Sequence, residues 1–147
     1  MIAFTVPGCA APQGSKTYLG KGRMVESSVR LRPWRAAVTA AAAEARNGAA
    51  TITGPVNLAA VFAFPRPASH YGTGRNAGQL KPSAPPFPIG HNVGDLSKLI
   101  RAVEDAITDS GAWRDDSLVV SYHASGKRWC LEGESPRTAI VISEELA

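Results

Sequence analysis

Residues 56–64 place Val56, Leu58, Ala60, Phe62 and Phe64 at every second position. Strand side chains alternate between faces, so this spacing makes a strand with one apolar face that needs a second layer to bury it. Two segments with a different period supply that layer. Over residues 95–109, Leu96, Leu99, Ile100, Val103 and Ile107 recur at helical spacing and share an arc about 100° wide. The other helix is expected to begin near Pro33, where proline pre-sets the first turn, and to stop at Asn47-Gly48. Its buried stripe would be Trp34, Val38, Ala41, Ala42 and Ala45. An opening strand is expected at 2–7 (Ile2, Phe4, Val6). A further strand over 117–123 should turn at Ala-Ser-Gly-Lys127 and return through 128–131 as a hairpin, and 138–142 makes the last strand. The order β-α-β-α-β-β-β specifies one α+β domain over residues 1–147, with helices packed on one mixed sheet.

The chain's 147 residues are enough to bury a core without staples. Cys9 and Cys130 are too few for a disulfide framework and lack metal-ligand spacing. No apolar run approaches the ~20 residues of a membrane span, and the N-terminus lacks a basic segment before its short apolar run. A cytoplasmic protein is the expectation. Two stretches carry no clear period. Residues 7–24 form a Gly/Pro-punctuated loop with Lys16, Lys21 and Arg23. Residues 65–94 hold six prolines together with Arg66, His70, Tyr71, Arg75, Asn76 and Lys81. Connections this long are usually functional or disordered. A flexible basic, Pro-rich loop is expected there, either a nucleic-acid arm or a plain surface loop.

Charge is divided along the chain. Lys and Arg outnumber acids by eight through Gly94, and acids outnumber them by four from Asp95 onward, for a net +4. A basic front with an acidic cluster behind it suits a protein that grips phosphates and then does metal chemistry on them. Chance asymmetry of an ordinary surface gives the same count. Asp95 opens the second helix, where its carboxylate can accept backbone N–H bonds as a cap, and Asp115 and Asp116 precede the next strand. These element ends can converge on a divalent cation, since Mg²⁺ takes oxygen ligands and is often held by one or two carboxylates plus substrate phosphate. A cap and a solvated turn would use the same residues. Lys98, Arg101, Asp105 and Asp109 lie on one side of the helix, with Ser97 and Glu104 at the apolar border. His70, His91 and His123 are scattered and read as structural, and Trp113 reads as a core anchor. No P-loop, GxGxxG or Ser/His/Asp spacing is present.

The stretch GDLSKLIRAVEDAITDSGAWRDDSLVV, residues 94–120, resembles the signature of RusA-type Holliday junction resolvases, dimeric Mg²⁺-dependent endonucleases. The family pattern runs Asp-Leu-Asp-Asn-Leu, a basic residue, Asp-Ala-Leu, then Gly-x-Trp-x-Asp-Asp entering a strand. The basic PQGSK after the opening strand is similar to the family's N-terminus. The resemblance implies a homodimer that nicks four-way DNA junctions in symmetric pairs, with Mg²⁺ as cofactor and Mn²⁺ as a substitute. By position, Asp95 matches the first catalytic aspartate, Asp116 the aspartate at the strand start, and Asp115 its neighbour. Arg101 stands in the place of the catalytic lysine, keeping the charge but not the geometry. The second catalytic aspartate falls at Ser97, which removes one formal negative charge. Asp105, Asp115, Glu104 or water must then complete the shell, or the protein is a DNA-binding relic of the fold. Glu104 lies seven residues on, about 10 Å along the helix, too far for simple substitution although its long side chain narrows the gap. Lys16, Lys21, Arg23, Arg30, Arg66, Arg75, Lys81 and Lys98 are the expected DNA contacts. A small-molecule enzyme with a lid at 65–94 is a third reading.

Overall fold

The computed structural model describes residues 1–146 except Ser15, Gly22, Ser27, Ser28 and His91, and describes 16–19 and 23–26 by their backbone. His91 and the side chains of Lys16 and Arg23 therefore lie outside the described part. The elements are β1 (Ile2–Pro7), β2 (Lys16–Gly20), β3 (Arg23–Glu26), α1 (Leu31–Arg46), β4 (Val56–Phe64), α2 (Leu96–Ser110), β5 (Val119–Ser121), β6 (Gly126–Trp129) and β7 (Arg137–Glu144). They form a small α+β domain with two helices on a mixed sheet.

Strand β4 lies at the middle of the sheet because it is buried along almost its whole length. One flank carries β7, then β1, both antiparallel pairings. Their registers stack three apolar rows on one face: Ile2, Ile142 and Leu58; Phe4, Ile140 and Ala60; Val6, Thr138 and Phe62. These residues join the core that holds Trp34, Val38 and Ala42 of α1 and Leu99, Val103, Ala106 and Ile107 of α2. Both helices end as their sequences dictate, on left-handed residues: Asn47 caps α1 and Gly111 caps α2. Trp113 is buried, and its Nε1 donates to Thr108 Oγ1 at 2.7 Å.

Two departures from the expected order concern strand pairing. The segment expected as a loop around PQGSK contains an extra antiparallel hairpin, β2–β3, which forms its own small sheet. The expected 117–131 hairpin does not form. Instead β5 and β6 run in the same direction, and both pair with β4 in parallel: Val119 and Ser121 with Val56 and Asn57, then Gly126 to Trp129 with Val61 to Phe64. They form one edge line interrupted at 122–125, where Ala124 takes φ 54°. Side chains bridge the interruption. Asn57 Oδ1 accepts from His123 N (2.9 Å) and Ser121 Oγ (3.1 Å), and Ser125 Oγ accepts from Ala60 N (3.1 Å). The Ala-Ser-Gly-Lys sequence is a bulge, a device that re-aims side chains, rather than a reversal.

Within 65–94 the structure has short 3-10 turns at Ala68–His70 and Gly74–Asn76. The segment is pinned to β6: Trp129 Nε1 donates to Pro85 O (2.9 Å), and the Arg66 guanidinium lies 5.2 Å from the Trp129 ring centre while donating to Pro85 O (3.0 Å). His70 meets the same ring edge-on.

Candidate active site

The first turn of α2 is built from three directions. Asp95 stands at the N-cap with extended backbone, and its carbonyl accepts from Lys98 N and Leu99 N. Its side chain makes no capping bond. The capping role expected from sequence is therefore not used, and the carboxylate projects 72% exposed, with Lys98 Nζ at 3.7 Å. Gly94, just before it, has φ 86°, and a Cβ there would sit 2.7 Å from Pro12 Cγ. Only glycine fits both the left-handed backbone and the close approach of the Pro12 ring. The next residue, Gln13, ties the N-terminal loop to the helix: its N donates to Lys98 O (3.0 Å) and its Nε2 to Asp105 Oδ2. Asp105 is thus engaged by Gln13 and forms no ion pair with Arg101, although the two are four residues apart on the helix.

A cavity of about 410 Å³ opens beside this turn, lined by Leu96, Ser97, Ile100, Glu104, Tyr122 and Ser125. Positions 97, 100 and 104 fall on one face of α2, and Tyr122 is delivered from the interruption between β5 and β6. Glu104 is 8% exposed. Its Oε1 accepts from Tyr122 Oη at 2.5 Å. Burial pushes its carboxyl above the usual range; the Tyr122 bond opposes that shift, and the charges of Asp116 and Asp105 add to it. The Tyr122 hydroxyl is pushed up to about 12 by burial and by the Glu104 bond. Asp116 belongs to the same electrostatic group, since its charge acts on both Glu104 and Tyr122. Asp116 itself is exposed at the start of a 3-10 turn, Asp116–Leu118.

Asp115 behaves differently. Its Oδ1 caps that turn, accepting from Ser117 N (2.9 Å) and Ser117 Oγ, and its Oδ2 accepts from Arg114 Nε (3.2 Å). The Ser117 hydrogen bonds hold its carboxyl below the ordinary value. Arg101 is exposed on α2 and its charge reaches Glu104. Among the described residues, no three His, Cys, Asp or Glu side chains come together as a ready-made ligand set. The donors around the α2 turn are nonetheless all oxygens, as a hard cation requires, and such a cation completes its shell with water and phosphate.

The expected DNA contacts scatter. Lys21 is exposed at the β2–β3 turn, and Arg75 and Lys81 are exposed within 65–94. Arg30 Nη2 donates to Asn92 O at 3.5 Å, close to the α2 turn. Arg66 is spent on Trp129 and Pro85. Three residues at the site were not singled out by sequence: Gln13, Tyr122 and Lys127, whose Nζ donates to Gly94 O at 3.0 Å. Only the tertiary pairing of β6 and the Gly94 turn reveals Lys127. The PQGSK motif, by contrast, had already pointed to Gln13's segment. Among the described residues no helix is long and apolar enough to cross a membrane.

No curated protein matches this sequence. The family model described as endodeoxyribonuclease RusA matches residues 7–143, which takes in β4, both helices and every acidic residue of the α2 turn. Agreement of the 94–120 pattern with a match over nearly the whole chain leaves one conclusion: this protein belongs to the RusA family of endodeoxyribonucleases.

Proposed function

We propose that the chain is a metal-dependent endonuclease that resolves four-way DNA junctions by paired nicks, acting as a homodimer. The observation that carries this reading is the set of oxygen donors about the first turns of α2. The Asp95 carboxylate makes no capping bond and is one residue from Leu96 of the cavity wall, and the charge of Asp116 acts on Glu104, which lines the same cavity. Asp95 and Asp116 would hold Mg²⁺, or Mn²⁺ in its place, with Asp115 fixing the strand entry that presents Asp116. Glu104 lines the same cavity wall as Ser97, whereas Asp105 is tied to the N-terminal loop by Gln13; to make up for Ser97, Glu104 would exchange its Tyr122 hydrogen bond for the cation. A divalent cation bound there supplies an activated water and charge for the leaving oxygen. The protein's own contribution is to hold carboxylates on one side and offer cations on the other: Arg101 to the phosphate, and Arg30, Lys98, Lys21, Arg75 and Lys81 to the flanking backbone. Junctions would be recognised by shape and phosphate contacts, so binding should weaken steeply with salt.

Incubating the purified protein with a labelled four-way junction tests this. Nicks in Mg²⁺ that vanish in EDTA and in Asp116→Asn are expected. Binding that persists in EDTA with no nicks in any metal would mark a relic that lost catalysis with the aspartate at position 97, and Ser97→Asp would then restore cleavage.

A further inference from the structure

We propose that Lys127 is a further residue that takes the scissile phosphate, beside Arg101, an inference that rests on the nuclease reading above. Parallel pairing of β6 with β4 sets Lys127 beside Phe62, whose side chain is wholly buried on the helix-covered face. Lys127 therefore points toward the helices rather than away from the sheet, and its stem reaches the start of α2. There its Nζ donates to Gly94 O at 3.0 Å, one residue from Asp95.

Three features together suit this lysine to an anion. It is half-buried, and among the described residues it has no carboxylate partner. An ammonium partly withdrawn from water without a counter-ion is costly, and an anionic ligand removes that cost. A lysine ammonium has three N–H donors, and the Gly94 bond uses one, leaving two for phosphate oxygens. Its position is also fixed. The Gly94 carbonyl it binds belongs to a turn locked from the other side by Pro12, and β6 is held in register along β4. Lys98 pairs with Asp95, and Arg101 is exposed on the helix. Lys127 is therefore the cation with a defined geometry at the carboxylate end of α2, where a phosphodiester held near Asp95 meets a point charge already in place.

The test compares wild type, Lys127→Met and Lys127→Arg in the full chain by three readouts. These are junction binding in EDTA across a salt series, single-turnover cleavage in Mg²⁺, and thermal melting. Methionine keeps the buried stem, so the melting temperature should stay within a few degrees. The salt slope of binding should fall by about one, and cleavage should fall about 100-fold. Lys127→Arg should keep the slope and recover part of the rate. An unchanged slope with an unchanged rate overturns the proposal. An unchanged slope with lower melting and slower cleavage also overturns it, because Lys127 then only props the Gly94 turn. If wild type binds but does not cut, the slope alone decides. If wild type neither binds nor cuts, the nuclease reading fails and this inference with it.

Discussion

Single residues show how unevenly the domain's polar groups are matched. Thr138 lies in an otherwise apolar row between Val6 and Phe62, fully buried, and its hydroxyl has no hydrogen-bond partner among the described residues. An unpaired buried hydroxyl costs on the order of 1 kcal/mol or more. Thr138→Val should therefore raise stability by about 1 kcal/mol in urea denaturation, although the same substitution in a satisfied site would lower it. Glu134 is the opposite case. Its carboxylate takes Arg128 (2.5 and 2.9 Å), Arg137 (2.7 Å) and Leu131 N (3.1 Å), and the Arg128 hydrogen bonds bring its pKa down to about 2. A carboxyl depressed on folding stabilises above its unfolded value near 4.5 and loses that contribution as pH falls toward 2. Glu134→Gln should melt below wild type at pH 7, and the two melting curves should converge between pH 4.5 and 2. A gap that persists at pH 2 would mean that charge is not the cause. The residues of the site were legible where chemistry is local. Asp95 and Asp116 stood out because they sit at element ends. Tyr122 and Lys127 did not, because nothing in the sequence shows which helix a strand residue will reach.

At the scale of elements, periodicity was a faithful guide and pairing was not. Strand β4 occupies the expected residues 56–64, and α2 matches within a residue at each end, because a continuous apolar face dictates both. The β2–β3 hairpin was hidden by its glycines, which look like loop punctuation. The β5–β6 line was misjudged for a physical reason. A short Ala-Ser-Gly sequence serves a hairpin turn or a bulge equally well, and only the buried edge of β4 selects the bulge. Asn57 makes that selection, being buried and offering Oδ1 to both His123 N and Ser121 Oγ where the ladder breaks. Asn57→Ala would take the partner from His123 N and leave Ser121 Oγ only Glu145 Oε1 at 3.4 Å, and should cost about 1–3 kcal/mol in urea denaturation. It should also slow cleavage, because Tyr122 is carried by the same bulge. A full-strength bulge after this substitution, seen as unchanged stability, would show that backbone pairing alone holds β5 and β6.

The whole molecule divides its labour. The sheet and two helices form the base; α2 and its cap supply Asp95 and Glu104, and two further segments supply Asp116, whose charge acts on Glu104, and Lys127, which reaches the Gly94 carbonyl. Of the basic residues from the front of the chain, Arg30 lies close to that end, its Nη2 3.5 Å from Asn92 O, whereas Lys21 is exposed at the β2–β3 turn. If the proposed function holds, the serine at position 97 is tolerated in the site, with Glu104 on the same cavity wall. Mapping the nicks tests whether the site works with that serine. A four-way junction labelled on each strand in turn, incubated with wild-type protein and Mg²⁺, should show cuts at symmetric positions in two strands of like polarity. The same sequence as plain duplex should remain intact. Cuts in duplex and junction alike, or a bound junction left whole at every metal concentration, would contradict the account.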